Sequence, residues 1–160
     1  MRKVISNTTP ILSLLKIDKL YILKELYETV SIPEAVFYEI ETGKDKEFYT
    51  DLSEIEWIKI EKIRVQESKL YLFDLDAGEA EVLILAQEQK ADLVILDEIM
   101  GRRYAQQLGI TLTGTLGILL KAKERGIIAA IKPLLYELIQ KGSWLNPKLI
   151  AGILEKAGER

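Results

Sequence analysis

Short apolar runs, polar turns and longer helix-like stretches alternate along this chain. Val4-Ile5-Ser6 is a short apolar strand, closed by the polar turn Asn7-Thr8-Thr9-Pro10. Thr8 or Thr9 is expected to cap a helix with Pro10 near its first turn. Ile11, Leu12, Leu14, Leu15 and Ile17 give that helix its apolar density. Asp18 reads as the N-cap of a second short helix carrying Leu20, Ile22, Leu23 and Leu26. Thr29-Val30-Ser31-Ile32 is a second strand, stopped by Pro33. A helix with Ala35, Val36 and Ile40 on one side follows and ends near Gly43. Residues 44–56 have a weak pattern and read as a surface helix or a loop. Trp57-Ile58-Lys59-Ile60 alternates in the manner of an edge strand, and residues 61–75 resist placement.

The pattern then sharpens. Asp76-Ala77-Gly78-Glu79 opens a long helix. Asp92-Leu93-Val94-Ile95-Leu96-Asp97 is almost continuously apolar, as a parallel strand covered on both faces should be. Residues 98–108 form a helix ended by Gly109, and Ile110-Thr111-Leu112-Thr113 another strand. Residues 114–125 form a helix ended by Gly126, with further helices at 129–141 and 147–157. This alternation implies an α/β three-layer sandwich around a mostly parallel central sheet, with helices on both faces. Residues 1–160 read as a single domain, with 129–157 as a C-terminal helical extension. Tyr21, Tyr27 and Tyr38 suit either a homodimer face or the core, and the core is preferred.

Composition narrows the chemistry. The chain has 160 residues, 48% of them hydrophobic and 29% charged, an ordinary globular balance. Its apolar runs fall short of the ~20 residues of a membrane span, and its first residues read as a strand and not as a leader, so a cytoplasmic location is the default. There is no cysteine and no histidine. That excludes disulfides, thiolate and imidazole metal sites, and Ser-His or Cys-His catalysis. Hydrolysis would have to rest on carboxylates and a hard cation. Charge is uneven: residues 25–61 hold 11 acids against 3 lysines, a local −8, whereas residues 98–148 hold 8 Lys/Arg against 3 acids, a local +5. Two solvated faces, or an acidic pocket beside a basic track for a phosphate backbone, account for this equally well.

In an open parallel sheet, ligands bind outside the carboxyl ends of the strands. Asn7, Asp97 with Glu98, and Thr113-Gly114-Thr115 fall there, and Glu79 and Glu39 lie near the starts of flanking helices. Singly, each has a plain structural role. Asp97 could cap the next helix, and Glu79 could complement a helix dipole. Glu39 could be a surface glutamate, and Thr115 is preferred as an N-cap. As a set they offer several oxygens to one ion, and such carboxylates should repel one another so that at least one titrates high.

Five segments in order resemble a PIN-domain protein of a prokaryotic branch related to toxin nucleases. They are Ser6-Asn7-Thr8-Thr9-Pro10, residues 32–40 (Ile-Pro-Glu-Ala-Val-Phe-Tyr-Glu-Ile), Leu75-Asp76-Ala77-Gly78-Glu79-Ala80-Glu81, Asp97-Glu98-x-x-Gly101-Arg102-Arg103, and Thr113-Gly114-Thr115-Leu116-Gly117. The resemblance implies an acidic quartet at Asn7, Glu39, Glu79 and Asp97 holding Mg²⁺ or Mn²⁺ for hydrolysis of single-stranded RNA. It also implies an antitoxin protein as a partner. Arg102, Arg103 and Thr115 would meet the substrate, although the two arginines fit an exposed helix face equally well. Glu81 and Glu98 are read as surface acids, with Glu98 a spare ligand. Asn7 departs from the family's aspartate. It brings no charge, which favours the alternative of a weak or inactive domain that binds RNA or a protein. A receiver-like domain phosphorylated on Asp97 fits worse, because it wants an acid pair at Asn7 and a lysine at Thr113-Gly114.

Overall fold

The computed structural model describes residues 2–66, 68, 72 and 74–160. Five parallel strands form one sheet in the order β3-β2-β1-β4-β5. They are β1 (Val4–Ser6), β2 (Val30–Pro33), β3 (Ile58–Glu61), β4 (Leu93–Ile95) and β5 (Leu112–Thr113). The central strands are buried at every position, as parallel strands sandwiched between helices must be. Register is tight at the centre, with Val4 opposite Leu93 and Ser6 opposite Ile95. Part of the 61–75 stretch, unplaced from sequence, lies outside the described residues.

Among the described residues, eight α-helices cover the sheet, giving the three-layer α/β sandwich that the sequence alternation implies. They are α1 (Thr8–Lys16), α2 (Tyr21–Tyr27), α3 (Glu34–Glu41), α4 (Ala77–Gln89), α5 (Ile99–Gln107), α6 (Thr115–Glu124), α7 (Lys132–Gln140) and α8 (Pro147–Lys156). Residues 44–56 are turns with one 3-10 turn at Leu52–Glu54. Gly109 and Gly126 both take φ +73, the left-handed stop expected after α5 and α6. α7 contributes Leu135 and Leu138 to the core, whereas α8 has no fully buried residue and lies against the surface. Among the described residues, no helix is long and apolar enough to cross a membrane.

Several local expectations are corrected. The N-cap of α1 is Asn7, not Thr8 or Thr9, and that of α2 is Leu20, not Asp18. Asp18 instead takes φ 55 in the preceding turn. Tyr27 is in the core, but Tyr21 and Tyr38 are exposed.

Candidate active site

Strand order reverses beside β1: β2 and β3 lie on one side, β4 and β5 on the other. Just past such a reversal the connecting helices leave on opposite faces and open a crevice at the carboxyl ends. The Asn7 amide N–H donates to the Ile95 carbonyl at 2.9 Å, tying the ends of β1 and β4 together. Asn7, Asp97 and Glu98 are thus neighbours although 90 positions separate Asn7 from Asp97.

Each carboxylate is seated by a different element. Glu39, on α3, accepts from the Thr8 hydroxyl (2.6 Å) and the Gly78 amide (3.0 Å). Asp97 accepts from the amide (2.8 Å) and hydroxyl (2.6 Å) of Thr115 at the start of α6. Glu98 accepts from Asn7 Nδ2 (3.0 Å) and the Thr9 hydroxyl (2.6 Å). Glu79 lies in the first turn of α4, where Asp76 caps its amide at 2.8 Å. Three glycines keep the space clear. A Cβ on Gly78 would sit 2.5 Å from Glu39 Oε1, one on Gly114 2.6 Å from Asp97 Oδ1, and one on Gly101 3.0 Å from Glu79 Oε2.

The electrostatics follow from this crowding. Burial pushes the Glu79 carboxyl up to about 8, aided by its hydrogen bond and repulsion with Asp76 and by the charges of Glu98 and Glu39. Burial also raises Asp97, as does Glu98; the Thr115 hydrogen bonds and Arg102 pull the other way. The expected upward titration is therefore present at two carboxylates. Asn7 is 2% exposed, and its Oδ1 is the one fully buried side-chain polar atom without a partner among the described residues. An orphaned buried oxygen costs about 1–3 kcal/mol, which is the signature of a place where a cation is welcome.

The structure brings Asn7, Glu39, Glu79 and Asp97 to one end of the sheet, where Asp97 and Glu39 border different cavities. Asp97 lines a groove of about 540 Å³ with Arg102, Thr113 and Gly114 on one side and Lys148 and Lys156 of α8 on the other. Glu39 borders a separate cavity of about 150 Å³. Among the described residues no three acidic side chains form a ready-made ion cage; Glu39 and Asp97 each spend oxygens on protein donors. Arg102 turns inward and donates to the Leu96 carbonyl at 2.8 Å, while Arg103 is exposed.

Three readings of side chains change. Thr115 is the first residue of α6 and not its cap; its hydroxyl is taken up by Asp97. Glu81 is buried, not a surface acid, and accepts from the Ala35 amide at 3.1 Å. Glu98 is half-buried and engaged with the β1 turn. Sequence reasoning also passed over the Thr8 and Thr9 hydroxyls and the two α8 lysines. The hydroxyl-rich turn between a strand and a proline was the available signal for the first pair. The spacing of Lys148, Leu149, Gly152, Ile153 and Lys156 along one helix face was the signal for the second.

A five-stranded parallel sheet between two helical layers, with acids near the carboxyl ends of its strands, defines a three-layer α/β domain. A family model described as a PIN domain matches residues 3–159, so the chain belongs to the PIN-domain family. PIN domains generally use divalent metal ions, and membership suggests RNA binding. A comparison with curated proteins finds no significant match.

Proposed function

We propose that the protein is a divalent-metal-dependent ribonuclease that hydrolyses phosphodiester bonds of single-stranded RNA. The observation that carries this reading is the unpartnered, buried Asn7 Oδ1, on a side chain that meets Glu98 at the carboxyl end of the sheet, where Glu98 and Glu39 also raise Glu79. Asn7, Glu39, Glu79 and Asp97 are the groups that would hold Mg²⁺ or Mn²⁺. When bound, the ion would supply positive charge for the phosphoryl oxygen and make the attacking water more acidic. The chain's own residues orient and bind. Thr115 fixes both oxygens of Asp97, Gly114 leaves room for them, and Thr8 with the Gly78 amide fixes Glu39. Arg102, Lys148 and Lys156 line the groove beside Asp97 and suit a phosphate backbone.

The whole chain acts here as one domain in a cytoplasmic setting, with 129–157 as its helical extension. A role as the toxin of a toxin–antitoxin pair would place the antitoxin on exposed apolar side chains, of which Ile99, Met100, Trp144 and Leu149 are examples. A homodimer could use the same kind of surface. One observation favours the weaker-enzyme reading: Asn7 has no charge and its Nδ2 is committed to Glu98. A cleavage assay on single-stranded RNA with Mn²⁺ or Mg²⁺ separates the readings. Wild type should cleave and Asp97→Asn should lose about 100-fold or more, at or beyond the upper end of what losing a mere partner of a metal ligand costs. Equal rates in both, or none in either, would sink the nuclease reading.

A further inference from the structure

Asn7 and Glu98 are both N-cap residues, of α1 and α5, and neither caps its own helix. Asn is among the strongest N-cap formers, worth about 1 kcal/mol when it does so. Here its side chain is withheld from that role. The two instead meet across the switch point, with Asn7 Nδ2 donating to Glu98 Oε2 at 3.0 Å. Thr9 holds the other oxygen, Glu98 Oε1, at 2.6 Å. A carboxylate can only accept, so this contact decides which way the amide points. Nδ2 must face Glu98, and Oδ1 must face away from it, buried and without a partner.

Resting on the ribonuclease reading, we infer that Asn7 and Glu98 act together as one composite anionic ligand for the divalent ion. Asn7 Oδ1 makes the contact and Glu98 supplies the charge behind it. Glu98 is then a positioning residue outside the quartet of Asn7, Glu39, Glu79 and Asp97. Hydrogen bonding of Nδ2 to a carboxylate draws electron density onto Oδ1 and makes it a better donor to a cation. A carboxylate behind a metal-ligating imidazole acts in the same way, and losing such a partner typically costs 10- to 100-fold in metal affinity. The arrangement splits the two duties that a single aspartate would perform at position 7. Thr9 completes it by fixing the carboxylate that fixes the amide.

The test is a charge transfer across the contact, read by Mn²⁺ affinity from the electron paramagnetic resonance of free Mn²⁺ and by the melting temperature of each variant without metal. Asp97→Asn reports whether the ion site exists at all. Glu98→Gln keeps the size and can still accept from Nδ2, but removes the charge. It should weaken Mn²⁺ binding about tenfold, within the range for outer-shell partners, while the melting temperature changes little. The double variant Asn7→Asp/Glu98→Gln puts the carboxylate at position 7 and the amide at 98, where it can donate back. It should return Mn²⁺ affinity to within about threefold of wild type. If wild type binds Mn²⁺ and Asp97→Asn loses it, but Glu98→Gln binds as wild type does, the composite ligand is overturned and the ribonuclease reading stands. If Glu98→Gln weakens binding and the double variant does not restore it, Glu98 is structural and the inference is likewise overturned. Should wild type fail to bind Mn²⁺, both fall together.

Discussion

Glu159 and Glu79 are the same side chain in opposite electrostatic company. Glu159 accepts from the Ile131 amide (2.7 Å), the Lys132 amide (3.0 Å) and the Lys123 ammonium (2.9 Å). Burial pushes it up, but these donors win and hold it at about 2. It closes the chain's last residues onto the start of α7. Glu79 is pushed the other way, to about 8, because burial is reinforced by Asp76, Glu98 and Glu39 rather than offset by donors. Glu61 sides with Glu159: burial raises it, and Lys3, Ser31 and Gln89 bring it below the usual range. Carboxylates that hold the fold together come with their counter-charges supplied. Glu79, in the first turn of α4, does not, and that shortfall is what a dication would fill.

The comparison breaks most sharply at Glu79→Gln set against Glu159→Gln. Glu79→Gln should lower metal-dependent RNA cleavage by about 100-fold or more, yet leave the metal-free protein more stable than wild type at pH 8, since a neutral amide replaces a carboxyl forced to ionise among like charges. Glu159→Gln should do the reverse: cleavage unchanged, and about 1–2 kcal/mol of stability lost at pH 7 with its charge-assisted bonds. Urea unfolding and the cleavage assay check both. A loss of stability in both variants would erase the distinction between the two sites.

A titration sharpens the contrast, and its signs differ between the two residues. Glu79 has a raised folded-state value, so the native protein holds a proton that the unfolded chain has released between about pH 4.5 and 8. Its contribution is fully present below 4.5 and is lost as pH rises through 8. Glu159 has a lowered value, so its contribution is present above about 4.5 and is lost as pH falls towards 2. Metal-free stability should therefore decline at both ends, with the alkaline decline absent in Glu79→Gln and the acid decline reduced in Glu159→Gln. At pH 7, Mn²⁺ binding should expel about one proton, measured as a dependence of calorimetric heat on buffer ionisation enthalpy. Binding without proton release would show that Glu79 does not meet the ion.

The frame of this molecule was legible because its signals are local and redundant. β4 is a run of apolar residues, Gly109 and Gly126 stop two helices, and the chemistry-bearing segments fall at strand ends. Three of the misreadings share one physical cause. Thr8, Thr9 and Thr115 were expected to serve, or preferred as, helix caps, a rule that presumes a side chain free to bond its own backbone. Their hydroxyls are drawn instead to Glu39, Glu98 and Asp97 from other elements. Glu81 reads as a surface acid because it falls outside the acidic quartet, whereas α4 is buried at every position from Gly78 to Ala86. The Asn7–Glu98 contact spans 91 positions, and no spacing rule within a single element could have paired them.

The smallest expected effect concerns the basic side of the groove. Lys148 and Lys156 lie on α8, a helix with no fully buried residue, so replacing them should leave stability within about 0.5 kcal/mol. They face Asp97 and Arg102 across the groove, and their role there is a long-range attraction for phosphates. Each phosphate contact on a single strand contributes a slope of about −0.7 to the dependence of log affinity on log salt. Lys148→Ala with Lys156→Ala should flatten that slope by about 1.4 if both touch the backbone, and weaken RNA binding at low salt while converging on wild type at high salt. Mn²⁺ affinity should not move, because neither residue touches the acids. Arg103→Ala, from the exposed neighbour of Arg102, is the comparison variant and should change the slope by less than either lysine. Filter binding of a short single-stranded RNA across a salt series reads all of these. An unchanged slope in the double lysine variant would mean that the strand leaves Asp97 by another path, and the groove would lose its place in the site.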